Sequence, residues 1–166
     1  MLGRDAPAIF SPCRQYRYVL RRRVGWGPST CLFIMLNPST ADEEQEDPTV
    51  RRCMDYAHRW GYGVLVVCNI FALRATDPTR LYQAPDPVGP ENDAYILEEA
   101  SRADCVVAAW GNHGALNERS HAVRVLLADV LVQCLGINRS GAPKHPLYIA
   151  RDQPLMVLQG GMTSND

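Results

Sequence analysis

At 166 residues the chain has room for one domain with a substantial core and not for two, since roughly 150 residues already bury nearly 70% of their unfolded surface. A hydrophobic fraction of 46% against 21% charged residues excludes a disordered chain. The formal net charge of -1 excludes a global electrostatic drive toward nucleic acid or membrane, and positive charge is concentrated in the first half, in Arg17, Arg21, Arg22 and Arg23 and then Arg51, Arg52, Arg59, Arg74 and Arg80. Any single one of these arginines reads first as part of a solvated face.

No apolar stretch approaches the length of a membrane span, and Met1 to Ala6 lacks the apolar core of a signal peptide, so the expectation is a cytoplasmic protein with no membrane partner. The six cysteines, Cys13, Cys31, Cys53, Cys68, Cys105 and Cys134, form no C-x-x-C pair and no close Cys-His group. Metal and cofactor are therefore both expected to be none. Cys31, Cys68, Cys105 and Cys134 lie inside apolar runs and read as small buried hydrophobes.

Residues 1–12 read as a flexible lead-in, 13–159 as a single domain and 160–166 as a disordered tail. Tyr16 to Arg21 alternates as a strand does, and Gly25 to Thr30 supplies turn chemistry, so these segments predict an N-terminal β-hairpin leading into the strand Cys31 to Leu36. That strand ends abruptly in Leu36-Asn37-Pro38-Ser39-Thr40-Ala41-Asp42, a polar loop of the kind α/β folds use for ligand sites. Plain turn chemistry accounts for the same residues equally well. After an acidic loop, Asp47 is a good N-cap and Pro48 suits the first helical position, with Val50, Met54, Ala57 and Trp60 or Tyr56 forming an apolar stripe that ends at Gly61.

Gly63 to Asn69 predicts a second strand buried on both faces, again ending in asparagine. A long proline-rich connection through Pro90 follows, and long ordered loops in compact domains are usually functional. A helix from about Glu91 to Ser101 precedes a third strand, Asp104 to Trp110, and the turn Gly111 to Gly114. Leu116 to Val132 predicts a third helix, and Cys134 to Ile137 a short fourth strand leading toward His145-Pro146. This alternation predicts an α/β fold: a three-layer α/β/α sandwich on a mainly parallel four-stranded central sheet, with the strand exits along one rim.

The exits bring together Asn37, Pro38, Ser39 and Thr40, then Asn69 and Phe71 with Arg74, then Trp110, Asn112 and His113, and last His145. An asparagine amide sets a donor beside an acceptor and so matches the edge of a base. Phe71 would stack beneath the ring, Arg74 would meet a phosphate, His145 would stabilise a developing anion, and Asp42 or Asp47 would orient a water. Each also has a structural reading: Asn37 and Asn69 tie down loops, Phe71 belongs to the core, and His145 fixes its turn. No P-loop, dinucleotide fingerprint or nucleophile elbow is present.

The motifs Met35 to Asp42, Asp47 to Cys53, Trp60 to Gly63, Asn69 to Arg74, Asp86 to Asp93, Ala109 to Gly111 and His145 to Tyr148 resemble, in that order, a bacterial family catalogued only as domain of unknown function 1643. More distantly, the order of elements is similar to the uracil-DNA glycosylase superfamily. There a first strand ends in a catalytic loop, a later one in a base-reading asparagine, and a final loop carries a His-Pro-Ser motif. This resemblance implies a uracil-DNA-glycosylase-like sandwich and a hydrolase that excises a possibly modified base from nucleic acid. It implies catalytic Asn37, Asp42 and His145, with Pro38, Ser39, Thr40, Asn69, Phe71, Arg74, Trp110, Asn112 and His113 as substrate-binding residues. Leu147 stands where that superfamily has serine, and the cluster cysteines of its iron–sulfur members have no counterparts here. Two alternatives stand beside base excision: a module that binds a nucleotide or modified base without cleaving it, and an enzyme acting on a nucleotide-like small molecule.

Overall fold

The computed structural model describes residues 6–39 and 47–158. Seven strands form one sheet: β1 (Ala8–Phe10), β2 (Arg17–Arg23), β3 (Thr30–Met35), β4 (Val64–Asn69), β5 (Cys105–Ala108), β6 (Gln133–Cys134) and β7 (Met156–Val157). Their spatial order is β1-β2-β4-β3-β5-β6-β7. The helices are α1 (Pro48–Arg59), α2 (Asn92–Arg102) and α3 (Arg119–Leu126).

The apolar runs of the central strands are continuous because both faces of the sheet are covered. On β3 the side chains alternate between two cores: Cys31, Phe33 and Met35 pack with Val50, Cys53, Tyr56 and Ala57 of α1. Leu32 and Ile34 pack with Ile96 and Ala100 of α2 and with Val123 and Leu127 at α3. Burying each such side chain is worth about 1.5–3 kcal/mol relative to leaving it in water. The stack of Phe33 and Trp60, their planes nearly parallel and centroids 6.0 Å apart, anchors the carboxyl end of α1 on its face.

The expectation of a mainly parallel, four-stranded sheet is corrected here, because the sheet is seven-stranded and mixed. Parallel pairing joins β4, β3, β5 and β6, but β1 with β2, β2 with β4, and β6 with β7 are antiparallel. The predicted hairpin is corrected as well. β2 pairs with β1 and β4 and not with the strand that follows it, so the Gly25 to Thr30 turn reverses the chain without zipping its two flanks together. Gly63 makes that crossing possible, since a Cβ there would sit 2.1 Å from the Gly27 carbonyl oxygen. Residues 8–10, inside the expected lead-in, are the edge strand β1.

The third helix is shorter than its apolar stripe predicts. Leu116 (φ -53°, ψ 128°) is non-helical and Asn117 (φ 51°) and Glu118 (φ 55°) adopt left-handed backbone, which kinks the 3-10 segment Asn112–Glu118 and sets its first part apart from α3. Cys31, Cys68, Cys105 and Cys134 are buried free thiols, as their apolar surroundings predict. Among the described residues no helix is long and apolar enough to cross a membrane.

Candidate functional site

The carboxyl ends of β3, β4 and β5 open on a cleft of ≈ 540 Å³, within the range of about 300–1,000 Å³ typical of small-molecule sites. Asn37, Ser39, Asp47, Asn69, Trp110, Asn112, His113 and His145 all line it, so residues from five separate segments meet in one place.

At the first exit, Asn37 donates from Nδ2 to the carbonyls of Ala75 (2.8 Å) and Pro38 (3.1 Å). Its amide nitrogen thereby staples the β3 exit to the loop beyond β4. Ser39 donates to Oδ2 of Asp47 (2.9 Å), while Oδ1 of Asp47 accepts from the Val50 amide (2.8 Å) as the N-cap of α1. One carboxylate thus starts the helix and borders the cleft. Thr40 and Asp42 lie outside the described residues.

Asn69 ends β4 and is 2% exposed. Its backbone carbonyl accepts from Nδ2 of Asn92 (2.8 Å), and the next carbonyl, that of Ile70, accepts from Asn92 (3.2 Å) and from Nε of Arg119 (2.7 Å). The main chain of this exit is therefore held from behind by two buried side chains. The Nδ2 of Asn69, by contrast, is buried without a hydrogen-bond partner among the described residues. A buried amide donor left unmade costs about 1–3 kcal/mol.

At the β5 exit, Gly111 has φ 72° and ψ -168°, a backbone region open essentially to glycine alone. This lets the chain leave the strand sharply, and the Gly111 amide donates to the Pro143 carbonyl (2.9 Å), bringing the His145 loop against it. Asn112 accepts through Oδ1 from Ser140 (2.7 Å) and Asn138 (3.0 Å), and His113 pairs through Nδ1 with the Tyr82 hydroxyl (3.1 Å). Trp110 is a buried wall whose Nε1 donates to Ser120 (2.9 Å).

His145 caps the short turn Pro146–Tyr148, its Nδ1 accepting from the Leu147 amide at 3.4 Å. In the neutral ring that acceptance leaves the proton on Nε2. Burial pushes the imidazole below its ordinary value, with the Asp47 carboxylate opposing the shift. Burial thus favours the neutral ring, which carries its proton on Nε2. Arg52 (2.7 Å to the Ile149 carbonyl) and the Tyr56 hydroxyl (2.9 Å to the Ala150 carbonyl) clamp the chain just after this turn onto α1.

Two residues named from the sequence lie elsewhere. Phe71 is completely buried in the core beneath α2 and α3 and does not line the cleft, because the residue after Ile70 packs inward. Arg74 donates to the Arg14 carbonyl (3.1 Å), sits over the Phe10 ring and lines a separate depression with Arg14, Gln15 and Arg80. Conversely, Arg17 and Tyr148 line the cleft and were not singled out as site residues. Arg17 reaches it because β2 is antiparallel to β4, so the amino end of β2 lies at the rim where β4 ends. The signal was an arginine opening a strand that continues Tyr18-Val19-Leu20. Among the described residues no cluster of three or more His, Cys, Asp or Glu side chains is placed to hold a metal ion.

No curated protein and no solved structure matches the chain. A family model described as "Protein of unknown function (DUF1643)" matches residues 17–147, which contain every cleft-lining residue named above except Tyr148. With well over half of the chain matched, this protein belongs to that family.

Proposed function

We propose that the cleft receives a nucleobase and that the protein hydrolyses the N-glycosidic bond holding it, in the manner of a DNA glycosylase. The observation that carries this reading is the amide of Asn69, buried and without a partner at Nδ2 among the described residues, on a residue that lines the same cleft as His145. A planar base edge presents acceptor and donor groups of the kind such an amide pairs with. In the reaction the bond between C1′ and the base nitrogen breaks, and its electron pair leaves with the base. Nε2–H of His145 donates to the resulting anion, water adds to C1′, and the proton it sheds ends on the base. Asp47 faces positive charge developing on the sugar and steers the water.

Phe71 has no part in this scheme, and the stacking role passes to Tyr148, which is 91% exposed where it borders the cleft. The near-neutral charge of the chain favours a single strand or a free nucleotide over tight duplex binding. The test is incubation with single- and double-stranded oligonucleotides carrying a panel of altered bases, and with the matching nucleotides, followed by chromatography for free base. Release that His145→Ala abolishes supports the reading. Folded wild-type protein that releases no base from any of them overturns it, and saturable binding without release returns the cleft to a binding module.

A further inference from the structure

Arg17 is only 6% exposed, and its Nε is buried with no hydrogen-bond partner among the described residues. Nor is it joined to a described carboxylate, in contrast to Arg119, which is also buried and is ion-paired with Asp93, and to the half-buried Arg21, which is ion-paired with Glu99. A guanidinium stays charged at neutral pH, and a buried charge without a partner is strongly destabilising. Burial lowers its pKa to about 10, with Arg74 and Arg22 pressing in the same direction and Asp47 opposing, so it remains a cation. That cation borders the cleft beside Asn37, Asp47, Asn69 and His145.

We propose that Arg17 is the phosphate-ester subsite of this cleft, so that the ligand is a phosphorylated nucleoside, either a free mononucleotide or a nucleotide within a strand. The inference rests on the cleft being the ligand site argued above, and it does not depend on excision. A phosphate oxygen pair matches the planar fork of a guanidinium. The arrangement then divides the labour: Arg17 holds the anionic end, Asn69 the base edge, and the Asp47 carboxylate and His145 attend the bond between sugar and base.

Probes without a base isolate this subsite from the base-reading claim. Binding of inorganic phosphate, ribose 5-phosphate, ribose, acetate and a short strand of abasic-site analogue is measured by calorimetry, and the ¹⁵Nε signal of Arg17 is followed by NMR. Ribose 5-phosphate is expected to bind saturably while ribose does not, and Arg17→Gln is expected to weaken it at least tenfold. Arg17→Gln should also unfold at a temperature equal to or higher than wild type without ligand, because a buried unpaired charge is gone. Tighter binding of the abasic strand than of ribose 5-phosphate identifies a polynucleotide as the source of the phosphate, and the reverse identifies a mononucleotide. The proposal is overturned if no phosphate-bearing probe binds wild-type protein, as expected were the chain's own carboxylates to satisfy Arg17, or if Arg17→Gln binds them equally. Preferential binding of acetate also overturns it. Should Arg17→Gln fail to fold, an Arg17 Nε signal that does not move on phosphate addition to wild type decides against it. Base release that survives loss of the phosphate effect leaves the excision reading standing and removes only this one.

Discussion

Asn69 and Asn37 look alike in the sequence, each an asparagine at the end of an apolar strand, and their hydrogen bonds separate them. Asn37 spends its Nδ2 on the carbonyls of Ala75 and Pro38, whereas that of Asn69 is spent on nothing described. Replacing an unsatisfied buried amide by an apolar side chain of similar size removes a desolvation cost, so Asn69→Leu is expected to be neutral or stabilising by up to about 1 kcal/mol. The same change is expected to lower base release at least a hundredfold. Thermal unfolding and the release assay check the two halves. His145 gives a prediction in pH. Its folded pKa lies below the ordinary 6.5 because burial disfavours the imidazolium. The unfolded chain therefore binds the extra proton first, and stability falls as pH drops below about 6.5, levelling off only below the folded pKa. Urea unfolding at a series of pH values is expected to show a smaller acid-side loss in His145→Gln. With the neutral ring as donor in the proposed reaction, release should stay level as pH rises from 7 to 8.5, where an imidazolium mechanism would decline.

At the scale of elements, the site depends on what holds each strand exit. Asp47 begins α1 and borders the cleft, so its two duties need separate variants. Asparagine caps helices about as well as aspartate, and alanine costs about 0.5–2 kcal/mol. Asp47→Asn is expected to keep wild-type stability and lose turnover, whereas Asp47→Ala loses both; chemical denaturation alongside kinetics shows the split. Behind β4, Asn92 is fully buried at the head of α2 and satisfies two consecutive carbonyls of the exit. Asn92→Ala orphans the Asn69 carbonyl and leaves that of Ile70 to Arg119 alone, with an expected loss of about 1–3 kcal/mol. Turnover should fall with it although Asn92 does not line the cleft, and hydrogen exchange should quicken around residues 69–71. The start of α1 was readable from Asp47 and Pro48 because capping is local chemistry. The true start of α3 was not, because the left-handed backbone at Asn117 and Glu118 interrupts an apolar stripe that runs on unbroken in the sequence.

Across the whole molecule, what was legible followed from burial on two faces. Continuous apolar runs betray strands covered by helices on both sides, and their abrupt polar ends betray the rim. Non-local pairing was not legible. The turn at 25–30 reads as a hairpin, but β2 crosses to β4, and that choice rests on packing contributed by residues far along the chain. Arg17 escaped for a related reason: a charged side chain announces its charge and not its burial, and only the antiparallel course of β2 carries it to the rim. Phe71 erred the other way, since an aromatic beside a polar exit serves ligand or core with the same residue type, and here the core takes it. The two edge strands, β1 and β7, are three and two residues long, which limits edge-to-edge association of a mixed sheet. The central claim is that this rim reads a base through Asn69. Its most direct measurement is the side-chain ¹⁵N–¹H₂ resonance of Asn69, assigned by comparison with Asn69→Leu, during titration with nucleobases, nucleosides and nucleoside monophosphates. The account predicts a saturable shift of that resonance with at least one base-bearing ligand and none with ribose 5-phosphate. A folded protein in which no base-bearing ligand moves the Asn69 signal would contradict it.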